Sequence, residues 1–138
     1  MASNVLFPEI DPNAPRMASD VRVTDYRVMP WPDGTRVTVE IGLTPFKQLP
    51  AMEISILSTA GEVIRGCSLL GVIERRPAPT IHLPGLEHGT KLAVLVEMLD
   101  GNSAEYCRVI TQKIIIPFEV AGPIVNRQIT AAQTIENG

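Results

Sequence analysis

Apolar and polar residues alternate most cleanly from Arg36 to Thr44. Val37, Val39, Ile41 and Leu43 fall on one side of an extended chain, and Arg36, Thr38, Glu40 and Thr44 on the other. Side chains of a β-strand point alternately to its two faces, so this period of two predicts a strand with one buried and one wet face. Met52, Ile54 and Ile56 repeat the pattern against Glu53 and Ser55, and Leu92, Val94, Val96 and Met98 repeat it within Lys91–Leu99. The segment Val21–Val28 is also strand-like, but its apolar phase moves from odd to even positions at Thr24-Asp25. One extra residue on one side of a ladder, a β-bulge, produces such a shift. Further strands are predicted over Val63–Ile73, interrupted by Gly66 and Gly71, over Thr80–Leu83, and over Tyr106–Ile116 with a phase slip near Lys113.

Turn chemistry separates these runs. Pro30-Trp31-Pro32-Asp33-Gly34 reads as a tight turn, as do Thr59-Ala60-Gly61-Glu62 and Asp100-Gly101-Asn102-Ser103, because Asp, Asn and Gly tolerate the conformations that turns require. Glu74–Pro79 reads as a proline-bearing crossover. No segment sustains a 3.6-residue period, which leaves no crossover helices and disfavours a βαβ fold. About seven short strands with near-regular turns predict an all-β, antiparallel two-sheet sandwich, with a closed barrel as the architectural alternative. Its expected core comprises Val37, Val39, Ile41, Ile54, Ile56, Leu92, Val94 and Val96. Residues 1–20, with Pro8, Pro12 and Pro15, read as an extended or disordered N-terminal arm; residues 21–120 form the sandwich, and 121–138 a C-terminal tail. Within that tail Ile124, Val125, Ile129 and Ile135 are spaced too loosely to assign to strand or helix.

The run Ile81-His82-Leu83-Pro84-Gly85-Leu86-Glu87-His88-Gly89-Thr90-Lys91-Leu92-Ala93-Val94-Leu95-Val96 resembles the corner and long central strand of immunoglobulin-like and fibronectin type III-like sandwiches. Leu92 stands where that family usually has its corner tyrosine, so the corner hydrogen bond is not available here. Gly34-Thr35-Arg36-Val37-x-Val39-x-Ile41 echoes Gly89-Thr90-Lys91-Leu92-x-Val94-x-Val96 at a spacing of 55 residues. The resemblance implies that these are two entries into central strands. It covers residues 20–120, implies fold alone, and carries no functional residues across.

Composition narrows the function. The net charge is −3 and Arg75-Arg76 is the only adjacent basic pair, so no basic groove for nucleic acid is expected. No apolar stretch reaches the roughly 20 residues of a membrane-spanning helix. The first eight residues lack a basic segment followed by a continuous apolar run, so the cytoplasm is the expected compartment. Cys67 and Cys107 are then expected to be reduced and unpaired.

Catalytic constellations are not evident. His82 and His88 would need a third ligand, Glu87 or Cys67, to hold a metal. Cys67 and Cys107 lie in strand-like runs, where cysteine behaves as a small hydrophobe. Ser68 and Ser103 lack a nucleophile signature. Glu40, Glu53 and Glu97 would serve a glycosidase only by converging on one outer face. No catalytic residue, metal ligand or cofactor is therefore expected.

The surface is more informative. Leu95 and Leu99 make the second face of strand 91–99 apolar, and Ile114, Ile115 and Ile116 cannot all point inward. A partner chain or an arm of the same chain must cover that face. The first functional expectation is a non-enzymatic structural or protein–protein interaction subunit of a homo- or hetero-oligomeric assembly, with Leu95, Leu99 and Ile115 on its interaction surface. The alternative is a ligand-binding sandwich, with carbohydrate as ligand and Tyr26 and Trp31 as contacts.

Overall fold

A computed structural model describes residues 21–47, 50–70, 72, 74–99 and 110–129. Eight strands are present among them: β1 (Val23–Pro30), β2 (Arg36–Leu43), β3 (Ala51–Leu57), β4 (Val63–Leu69), β5 (Thr80–His82), β6 (Lys91–Leu99), β7 (Ile110–Glu119) and β8 (Val125–Gln128). They form two antiparallel sheets, sheet I in the order β5-β2-β1-β8 and sheet II in the order β4-β3-β6-β7. The architecture is an all-β two-sheet sandwich. The expected strand Val63–Ile73 ends earlier, at Leu69, and the last long strand runs to Glu119 rather than Ile116. Residues 106–109 lie outside the described residues. The eighth strand comes from the segment read as tail: Val125–Gln128 pairs with Asp25–Val28 at the edge of sheet I.

The period of two is what builds the core. Even positions of β3, β6 and β7 and odd positions of β2 point inward. All eight expected core residues are buried, joined by Tyr26, Val28, Met52, Met98, Ile114, Ile116 and Phe118. The phase shift in β1 is a bulge: the register with β2 slips between Val23 and Asp25, so Val23 and then Tyr26 and Val28 all reach the interior. In β7 the slip falls not near Lys113 but opposite Met98/Leu99, at Thr111. From Gln112 to Glu119 the alternation is unbroken, which carries Gln112 into the core at 1% exposure.

Gln112 resolves a problem that the β1 bulge creates. A bulge pulls backbone groups out of the ladder. Here Val23 N–H donates to Gln112 Oε1 at 2.7 Å, and Gln112 Nε2 donates to the Val23 carbonyl at 3.5 Å. One side chain of sheet II therefore satisfies both backbone groups of a residue of sheet I.

The two Gly-Thr corners enter the central strands of the two sheets. Gly34 and Gly89 both adopt positive φ, +78° and +88°, a region open to glycine without steric cost. They precede β2 and β6, each interior to its sheet. The corners also meet, because a Cβ at Gly34 would come within 2.9 Å of the His88 ring.

Residues 75–79 supply a one-way ladder along β2. The carbonyls of Arg75, Pro77 and Pro79 accept from the N–H groups of Leu43, Ile41 and Val39, and the prolines have no N–H to return.

Truncation of Val94 or Ile41 to Ala should cost about 2–4 kcal/mol in chemical denaturation, through lost burial and the cavity left behind. Gln112→Leu should cost about 1–3 kcal/mol in the same measurement, because it leaves the Val23 N–H buried without an acceptor. A neutral result would show that the amide does not hold the bulge.

Candidate interaction surface

The outer face of sheet II is set by residues out of phase with the core. Cross-strand register arranges them in rows. Leu57, Ala93 and Pro117 form one row, and Ser55, Leu95 and Ile115 the next. Gly66 continues the second row on β4, and Val63 stands opposite Leu57. Ile115 is 54% exposed and Val63 64%; Leu57, Ala93 and Leu95 are half-buried by their neighbours. The result is a contiguous apolar centre across β3, β6 and β7. Charged rows close it at both ends, Glu53–Glu97–Lys113 at one and Lys91–Glu119 at the other.

Of the three residues expected on this surface, Leu95 and Ile115 are cross-strand neighbours within it. Leu99 is not exposed. It is 6% accessible, opposite Ala51, at the end of β6 where the register with β7 slips. Its register with β3 is unbroken, so it keeps the outward phase and is buried there outside the main core cluster.

The outer face of sheet I is different in chemistry. Asp25, Arg27 and Met29 of β1 lie opposite Gly42, Glu40 and Thr38 of β2. Arg76 from the crossover reaches over them. Its NH1 and NH2 donate to both carboxylate oxygens of Asp25, at 3.3 and 2.7 Å, and its Nε donates to Glu40 Oε2 at 3.1 Å. This fork needs Gly42 beneath it, since any Cβ there would collide with the Asp25 carboxylate and Arg76 NH1. The Arg76 hydrogen bonds hold the Asp25 carboxyl below its ordinary range, with partial burial opposing them.

At the hairpin end of the same sheet, Trp31 is half-buried. Its Nε1–H donates to Thr38 Oγ1 at 3.0 Å, and the Arg36 guanidinium lies 4.7 Å from the ring centroid, within cation–π range. Arg36 Nε is buried there without a hydrogen-bond partner. Asp33 closes the turn by accepting from Thr35 N–H and Oγ1, and these bonds, the backbone one first, lower its pKa. Tyr26, the other expected ligand contact, is 7% exposed and belongs to the core. Trp31 follows it by five positions, an odd offset, so along an extended chain the two point to opposite sides and form no shared platform.

The remaining candidates are dispersed. Glu53 and Glu97 are cross-strand neighbours on sheet II, whereas Glu40 is on sheet I, engaged by Arg76. His82 is opposite Arg36, and His88 Nε2 lies 3.4 Å from the Asp33 carbonyl. Cys67 is a half-buried free thiol facing Ile54 across the ladder, and Cys107 is outside the described residues. Among the described residues no three His, Cys, Asp or Glu side chains gather, and no helix is long and apolar enough to cross a membrane. Arg76 gave no signal in the sequence, because its partners lie 36 and 51 positions away.

Because the folded Asp25 pKa is depressed, its pairing with Arg76 stabilises the fold above the ordinary carboxylate range, near pH 4. That contribution is lost as pH falls through the lower folded value. Arg76→Gln should cost about 0.5–1 kcal/mol at pH 7, the range of a partly exposed ion pair. In denaturant melts at stepped pH, the gap from the parent protein should narrow as pH falls below 4. A gap that widens on acidification would refute the assignment.

Neither a protein-family model nor a curated protein sequence matches the chain. Among solved structures, it is similar to a β-glucuronidase of Bifidobacterium dentium complexed with coumarin-3-O-glucuronide, at 19% identity and a TM-score of 0.48. The match covers 73% of this chain and 18% of that one, less than a fifth of its length. A likeness at that level adds nothing to the reading of the surface.

Proposed function

We propose that the chain is a non-enzymatic protein–protein interaction subunit that docks a partner on the outer face of sheet II and works within an assembly. One observation carries this reading. The apolar rows Leu57–Ala93–Pro117 and Leu95–Ile115 are contiguous, partly solvent-exposed and bounded by charged rows. An apolar centre inside a polar rim is the anatomy of a protein interface.

The finer fold assignment accompanies it. A sheet of β5-β2-β1 facing one of β4-β3-β6-β7 supports an immunoglobulin-like, fibronectin type III-like topology, with β2 and β6 as the central strands. The added β8 extends the first sheet at its edge.

A carbohydrate-binding reading has less behind it. Such sites stack sugars on open aromatic faces, whereas Trp31 is covered by Arg36 and bonded to Thr38, and Tyr26 is in the core.

The test is site-specific photo-crosslinking of the full chain under native conditions. A photoreactive side chain in place of Ile115 is expected to give a discrete polypeptide adduct, and one in place of Arg27, on sheet I, none. Leu95→Lys in the Ile115 probe background should cut the adduct yield about tenfold, which corresponds to about 1.4 kcal/mol. Equal labelling from the two faces, or an adduct indifferent to Leu95→Lys, would sink the proposal.

A further inference from the structure

The charges around the apolar rows have a particular arrangement. Outward residues of β6 read Lys91, Ala93, Leu95, Glu97, and those of β7 read Lys113, Ile115, Pro117, Glu119. The strands are antiparallel, with Lys91 opposite Glu119 and Glu97 opposite Lys113. Two lysines and two glutamates therefore occupy the corners of a rectangle in a checkerboard. Its long side spans six residues, about 20 Å at the rise of a strand, and its centre is Ala93, Leu95, Ile115 and Pro117.

A checkerboard is self-complementary. Take a second copy facing the first, related by a twofold axis in the plane between them. If the axis runs along the strands, Lys91 meets Glu119 of the second copy and Glu97 meets its Lys113. Leu95 then packs over its Ile115. If the axis runs across the strands, Lys91 meets Glu97 of the second copy and Lys113 meets its Glu119. Either way all four corners pair opposite charges around an apolar centre, as an isologous interface requires.

The edges of sheet I and the β7 edge of sheet II disfavour strand addition, which leaves β4 as the remaining edge. Val120 N–H bonds the Thr90 carbonyl, and the Val120 carbonyl accepts from Gly89 N–H. Both groups of Val120 thus face β6, and by alternation the odd residues of β7 face its outer edge, which pairs with no other strand among the described residues. That edge then carries Lys113 and Pro117, the second without an N–H, both devices that discourage strand addition. Along β2, residues 75–79 already occupy the N–H groups of Val39, Ile41 and Leu43, and β8 is only four residues long.

We infer that the partner on the outer face of sheet II is a second copy of this chain, docked face to face through Leu95, Ile115 and the checkerboard of Lys91, Glu97, Lys113 and Glu119. This inference rests on the proposed docking role of that face.

The test uses the full chain in sedimentation analysis over a concentration series. The parent protein is expected to shift from monomer to dimer. Glu97→Lys with Glu119→Lys makes all four corners positive, and Lys91→Glu with Lys113→Glu makes them negative. Each pair should be monomeric alone, and an equimolar mixture should restore the dimer at concentrations where neither self-associates. Ile115→Lys, at an exposed position that leaves the corners intact, should also be monomeric with an unchanged thermal midpoint. A parent that stays monomeric, a mixture that does not associate, or an Ile115→Lys variant that dimerises like the parent would overturn the inference. If the parent is monomeric while the Ile115 probe still gives a Leu95-dependent adduct heavier or lighter than a second copy, the docking surface stands and only self-pairing fails.

Discussion

The tie between Gln112 and Val23 is the constraint on which the rest of the sandwich depends. Sheets that face each other through apolar side chains can slide, because dispersion and apolar burial have little directionality. A buried amide with two backbone partners is directional, and breaking it strands polar groups in a medium that cannot solvate them. Gln112 on β7 meets both groups of Val23 on β1, so one edge strand of sheet II is set against one particular residue of sheet I. The same contact accommodates the bulge, and the bulge is what turns Tyr26 and Val28 inward.

Once the two sheets are held in this register, the alternation along each strand determines what the outer faces carry. Sheet I presents charges locked to one another. Arg76 bridges Asp25 and Glu40 over Gly42, and Trp31 carries Arg36 over its ring and donates to Thr38. Those polar groups are largely engaged within the chain. Sheet II presents Leu95 and Ile115 side by side, with charged residues at the ends of the rows. The proposed docking role rests on this difference in chemistry between the two faces. The proposed face-to-face pairing follows from it, because the face that keeps its apolar groups at the surface also distributes its charges in a self-complementary way.

Strand phase, the bulge at Thr24-Asp25, the Gly34 and Gly61 turns and all eight expected core residues could be read from the sequence, because each depends on neighbours within a few positions along the chain. The adjacency of Leu95 and Ile115 was only half legible: alternation places each outward, but register makes them neighbours. Position alone also misplaced Leu99 and Tyr26. The first is buried at the strand end although out of phase with the core, and the second lies on the core side of a strand whose phase has already shifted.

What the sequence by itself determined is therefore the period, and with it the all-β class and the identity of the core. Side-chain alternation is a local property of an extended backbone. Only the tertiary structure decided the partners: that β8 joins β1, that Arg76 clamps residues 36 and 51 positions away, and that Gln112 bonds Val23 across 89. The sequence lists an inward-phase glutamine among isoleucines without saying what it meets. Contacts of that range depend on which strands become neighbours, and strand order is settled by packing the whole chain rather than by any segment of it.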